Sequence, residues 1–217
     1  MGGRHGTVVE DIGSRRMNRL LSAILLGILV VTAATTPSVA THTPEQALSQ
    51  ASAGWPIGDL ALVDTDGRPF VTRDLHERWT LLAVADSRCA ERCDRTLSAL
   101  SELLRRIAGT RVLASTQVLV VSLRADDAPA DLRRLLAPYD ARLIGVTGRA
   151  EDLARLADDL GIDVGAGAGP DAAPLGVEDR TGSLWLIGPD GAIRAELHPP
   201  LDPLLLTATY LKLRLRG

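Results

Sequence analysis

The chain has 217 residues, enough for one substantial core and little beyond it. Its formal charge is −3 and only 3% of its residues are aromatic, which excludes a basic, aromatic-studded nucleic-acid surface. It holds two cysteines, Cys89 and Cys93, so any thiol chemistry rests on that pair.

Arg15, Arg16 and Arg19 precede an apolar run from Leu20 to Ala34, and Ser38-Val39-Ala40 then supplies the small residues of a cleavage site. Residues 1–40 therefore read as an export signal. The run is within the range of a signal-peptide core and short for a full span, so cleavage and retention as a membrane anchor through residues 20–40 both stay open. Either way the basic flank stays in the cytoplasm, and the rest of the chain lies outside, in the periplasm or at the cell surface. Ser14-Arg15-Arg16 carries part of a twin-arginine pattern, with Asn18 where that pattern wants an aromatic. Residues 41–54 are polar and Ala/Ser-rich and read as a linker, which leaves 55–217 as the folded domain.

Leu60 to Val63 is a short apolar strand, Asp66-Gly67 a hairpin turn, and Phe70-Val71 the start of the return strand. Thr80 to Ala85 is a continuous apolar run, the pattern of a parallel strand buried on both faces. From Asp94 the period becomes helical, with Leu97, Leu100, Leu103, Leu104 and Ile107 on one face and Gly109 at the end. Gln117 to Leu123 is the next buried strand. Pro129 opens a helix carrying Leu132, Leu135 and Leu136, and Pro138 closes it. Leu143 to Val146 is a strand, followed by a helix with Leu153, Leu156 and Leu160 that Gly161 ends. Residues 161–182 read as a long loop. Ser183–Ile187 and Ala192–Leu197 flank the turn Gly188-Pro189-Asp190-Gly191, and Asp202 caps a last helix that Pro203 begins and that runs to about Arg214. This order predicts an α/β thioredoxin-like fold: a central mixed sheet with helices on both faces, an N-terminal hairpin, and a strand-helix insertion at 143–160.

The cysteines sit where a buried strand hands over to a helix, a position at which α/β folds place their sites. Helix N–H groups and the positive end of the dipole favour thiolate there, and Arg88, Arg92 and Arg95 add positive charge. The four-residue step puts both side chains on one side of the first turn. With Cys89 still in the loop the sulfurs can bond; with both residues helical their Cβ atoms stand ~5–6 Å apart, too far for an unstrained disulfide. A structural bridge, a redox pair and a soft-metal site such as one for Cu(I) all remain open on spacing alone. A peroxiredoxin-type site needs Pro and Thr where the chain has Leu82 and Asp86.

Four segments in order carry a family resemblance: Asp64-Thr65-Asp66-Gly67-Arg68-Pro69-Phe70, Cys89-Ala90-Glu91-Arg92-Cys93 with Thr96-Leu97 after it, Leu143-Ile144-Gly145-Val146-Thr147-Gly148, and Leu184-Trp185-Leu186-Ile187-Gly188-Pro189-Asp190-Gly191. Over about residues 57–197 the chain resembles the Sco/SenC family of thioredoxin-like copper chaperones for cytochrome c oxidase assembly. The resemblance implies a copper site on Cys89 and Cys93, and as partner a cytochrome c oxidase subunit or another exported thiol protein. It also shows departures. The family's prolines after each cysteine are Ala90 and Asp94 here, its Ser-Val-Asp-Pro is Ser122-Leu123-Arg124-Ala125, and its His ligand falls on Arg180 in Asp179-Arg180-Thr181. Arginine stays protonated and cannot coordinate. What remains is two thiolates, suited to Cu(I); His76 or His198 is a candidate substitute imidazole, though a lone surface His more often reads as a solvated side chain, and an Arg180 beside the thiols favours thiol–disulfide exchange.

Three functions follow: a Sco-like assembly factor, a general exported thiol–disulfide oxidoreductase, and a binding module with a degenerate site. Gly165-Ala166-Gly167-Ala168-Gly169 lacks the strand and helix of a nucleotide loop. Asp126-Asp127, Asp158-Asp159 and Glu178-Asp179 read as solvated charges.

Overall fold

Eight strands form one mixed sheet in the computed structural model, which describes residues 54–162 and 182–216. They are β1 Trp55–Pro56, β2 Ala61–Asp64, β3 Pro69–Val71, β4 Trp79–Val84, β5 Thr116–Val121, β6 Leu143–Gly148, β7 Leu184–Ile187 and β8 Ala192–Leu197, in the order β1-β8-β7-β4-β5-β6-β2-β3. The helices are α1 Ala90–Arg106, α2 Arg111–Ala114, α3 Pro129–Leu136, α4 Ala150–Asp159 and α5 Pro203–Arg214. The expected leader 1–40, the linker up to residue 53, the Gly-rich loop and Arg180 lie outside the described residues.

At the centre β4, β5 and β6 run parallel, with Leu82 opposite Leu119 and Leu119 opposite Ile144. Every residue of β4 and β5 is buried, which is why these strands read as unbroken apolar runs. β7 closes one side antiparallel to β4, and the hairpin β2–β3 adds to the other side through β2 and β6. The early hairpin is thus an edge of the main sheet. Gly67, at φ 78°, makes its turn. One strand was not anticipated: β1, two residues long, pairs Trp55 with Ile193 at the far edge.

Alternation along the strands splits the core in two. Leu81, Ala83, Val118, Val120, Leu184 and Leu186 face one way and pack with Leu97, Leu100, Leu103 and Leu104 of α1 and with Leu206 and Tyr210 of α5. Leu82, Val84, Leu119, Val121, Trp185 and Ile187 face the other way and pack with Leu153, Leu156 and Leu160. Helices therefore cover both faces, as the pattern of elements requires. Gly145 on β6 lets α3 approach, since a Cβ there would stand 2.8 Å from Leu136 Cδ1 and 2.8 Å from Thr65 Cγ2.

Local chemistry sets the helix ends. Asp202 accepts hydrogen bonds from the backbone N–H of Leu204 and of Leu205, each at 2.9 Å, and Pro203 takes the first helical position. At the other end of α5, Arg214 donates to Tyr210 Oη at 2.8 Å, Thr116 Oγ1 at 3.0 Å and Ser115 Oγ at 2.7 Å, tying the helix to the start of β5.

Three aspartates are held below the ordinary carboxylate range. Arg149 does this for Asp152, whose side chain is only 1% exposed and is also paired with Arg155; Arg142 does it for Asp140, and Arg124 for Asp126. Folding lowers these pKa values. Their contribution is therefore complete above the unfolded value of about 4 and is lost as pH falls through the lower folded values. A pH series of urea midpoints is expected to drop on acidification below about pH 4, and Asp152→Asn to lower the midpoint at neutral pH while shrinking the acid-induced drop. An unchanged acid slope in that variant would remove Asp152 from the account.

Candidate functional site

β4 ends at Val84, and a five-residue turn separates it from α1. Ala85 N–H still bonds to Val121 O at 3.0 Å, continuing the parallel ladder, and the chain then folds over Asp86, Ser87 and Arg88. Cys89 is the N-cap of α1, and its carbonyl accepts from Arg92 N–H at 2.6 Å and from Cys93 N–H at 3.1 Å. Cys93 is already inside the first turn. Cys89 itself already has helical dihedrals, φ −88° and ψ −2°, so the pair stands one helical turn apart and the bridge spans that turn, where the spacing alone requires Cys89 to remain in the loop. The two sulfurs form a disulfide with a Cα–Cα distance of 5.6 Å, inside the usual range. Both residues are buried, at 2% and 1% exposure, and belong to the core half that α1 covers.

The N–H that reaches a sulfur belongs to the turn before the helix: Asp86 N–H donates to Cys89 Sγ at 3.2 Å. Asp86 Oδ1 in turn accepts from Arg88 N–H at 2.8 Å, which shapes the turn. The three expected arginines do not converge on the thiols as a group. Arg88 turns to Asp126, donating to Oδ2 at 2.6 Å, while Arg92 and Arg95 are exposed. The nearly buried Arg124 donates to the same Asp126 oxygen at 2.8 Å, and its own pKa is raised by that contact.

Asp127 corrects the expectation of a solvated acidic pair. It is 7% exposed, and its carboxylate accepts from Ser87 N–H at 2.9 Å, Ser87 Oγ at 2.6 Å and Ser122 Oγ at 2.7 Å. It joins the cysteine-bearing turn after β4 to the turn after β5. The sequence holds one clue to this: the two turns follow adjacent parallel strands, and such carboxyl ends meet in space. Asp158 is exposed as expected, whereas Asp159 accepts from Gly58 N–H at 2.9 Å and holds the N-terminal segment.

The two histidines separate. His76 lies against Gly191 in the β7–β8 turn, beyond Thr80 and Ile187, at the end of β4 away from the cysteines. His198 follows Leu197, which pairs with Leu184 and through it with Ala83, so it lies at the cysteine end. Its Nδ1 is 3.3 Å from Ser183 Oγ and 3.6 Å from Glu196. Among the described residues no group of three or more His, Cys, Asp or Glu side chains is arranged to hold a metal ion. No described helix is long and apolar enough to cross a membrane.

Residues 50–212 match the SCO1/SenC family model. A Stutzerimonas stutzeri protein named "Putative copper-binding protein" is 34% identical over 145 residues, which cover 67% of this chain and 70% of that protein. The Bos taurus mitochondrial protein SCO2 homolog is 28% identical over 147 residues, covering 67% of this chain but only 54% of its own length, so the chain spans about half of that relative. The crystal structure of yeast Sco1 superposes with a TM-score of 0.63 at 19% identity, over 72% of this chain and 96% of that one, a likeness of fold. With a family match across most of its length and a disulfide at the point where the fold puts its chemistry, the chain belongs to the SCO1/SenC family.

Proposed function

We propose that this protein is an extracytoplasmic assembly factor for cytochrome c oxidase that acts through Cys89 and Cys93, by delivering Cu(I) and by exchanging thiols with a client. The observation that carries this reading is the cysteine pair itself: two sulfurs within bonding reach across the N-cap of α1, in a member of the SCO1/SenC family. The basic, apolar and small-residue pattern of residues 15–40 supports export, with or without an anchor, and an oxidising compartment suits a disulfide.

Copper is cargo in this reading. Reduced Cys89 and Cys93 are soft donors that fit Cu(I), which accepts low coordination. They are a poor set for Cu(II), because no imidazole joins them among the described residues and the family's ligand position is Arg180. In the exchange reaction the two thiols become the Cys89–Cys93 disulfide, and two electrons and two protons pass to a client disulfide, which becomes two thiols. A second reading, a general exported thiol–disulfide oxidoreductase, is favoured by the same small ligand set.

Anaerobic titration of the reduced full-length chain with Cu(I) tests the copper half. Saturation at one ion per chain is expected, and failure to bind would leave only thiol exchange. Arg180→His is expected to add a Cu(II) site that the wild type lacks. No gain in Cu(II) binding would mean that Arg180 does not stand at the ligand position.

A further inference from the structure

We propose that Asp127 is the positioning residue of the Cys89–Cys93 pair: its buried carboxylate clamps the cysteine-bearing turn to the end of β5 and thereby sets how readily the disulfide is reduced. The inference rests on the reading of that pair as the reactive group.

Three donors converge on this one side chain. Two come from Ser87, the backbone N–H at 2.9 Å and Oγ at 2.6 Å, and one from Ser122 Oγ at 2.7 Å. Ser87 is two residues before Cys89, in the turn whose Asp86 N–H meets Cys89 Sγ. Ser122 directly follows β5, and Thr147 Oγ1, on β6, donates to Asp127 O at 3.3 Å. The turn is therefore fastened to the ends of two neighbouring parallel strands, with the Ser87–Asp127 contacts spanning 40 residues of sequence. A carboxylate with several acceptor sites is the side chain that can take all three donors at once.

Fastening matters to the sulfur chemistry because a disulfide forms in proportion to the time its thiols spend at bonding geometry. A released turn lets the thiols drift apart and favours the dithiol. The disulfide therefore becomes easier to reduce. Loss of the Asp86 N–H contact to sulfur acts the other way, but it is a single weak bond.

The test is equilibration of the full-length chain with glutathione buffers, in which the Cys89–Cys93 disulfide takes two electrons and two protons from two glutathione thiols, yielding glutathione disulfide. Asp127→Asn is expected to shift the equilibrium about tenfold toward the dithiol, about 30 mV for a two-electron couple. Ser87→Ala should shift it the same way by less, and it decides the matter if Asp127→Asn fails to fold. Asp152→Asn, which takes a buried carboxylate charge away from the exposed Arg149 and Arg155 at the start of α4, should lower thermal stability and leave the potential unchanged. A wild-type potential in both Asp127→Asn and Ser87→Ala overturns the positioning role alone. A wild-type pair that does not cycle at all overturns the proposed function with it.

Discussion

Cys93→Ser is expected to abolish tight Cu(I) binding by the reduced protein. Serine keeps the size of the side chain but replaces a polarisable thiolate with a neutral hydroxyl, which is a poor donor to a soft ion. With two sulfur donors and no third His, Cys, Asp or Glu grouped with them among the described residues, loss of one leaves Cu(I) with a single soft ligand. The drop in affinity should exceed the ~10–100-fold that follows loss of a ligand's hydrogen-bond partner. The fold should survive, because a bridge closing so short a loop contributes about 2 kcal/mol in the chain-entropy account. The signature is thus a large change in copper titration beside a modest change in melting temperature. In cells lacking this protein, the double variant Cys89→Ser/Cys93→Ser should fail to restore cytochrome c oxidase activity. Full restoration would reduce the cysteines to a structural bridge and remove them from the mechanism.

Trp185→Ala is expected to cost about 3–5 kcal/mol of stability, the range for emptying a large aromatic site. Trp185 sits on β7 opposite Leu82 with no exposed surface, in the core half that packs against α4. Trp185→Phe should cost much less than the alanine change. It keeps most of the packing and removes an indole N–H that is buried without a hydrogen-bond partner among the described residues, a group whose burial is itself unfavourable. Urea midpoints measured with an unchanged denaturant slope would report these as changes in stability. Equal losses in the two variants would mean that the indole N–H is satisfied in solution.

Much of this molecule was legible residue by residue. Asp202-Pro203 announced α5, Asp66-Gly67 announced the hairpin, and the apolar runs around Leu82 and Leu119 announced strands buried on both faces. The cysteine pair was found by its place between strand and helix, and the family likeness by segments standing in order. The sequence did not show that Cys89 would be an N-cap with both sulfurs buried, or that β1 would form from two residues held by β8. It did not rank the histidines either: His76 and His198 differ only in which end of the sheet they occupy.

The amino-acid sequence by itself determined most of the elements, their order, the fold class and the place of the cysteine pair between β4 and α1. Turns, caps and periodicity act within a few residues, so they can be read along the chain. Only the tertiary structure decided that Asp127 is buried beneath the cysteine turn and not a solvated loop charge. That outcome depends on Ser87 and Ser122 arriving from two different strands, and on the cost of burying a carboxylate without such donors.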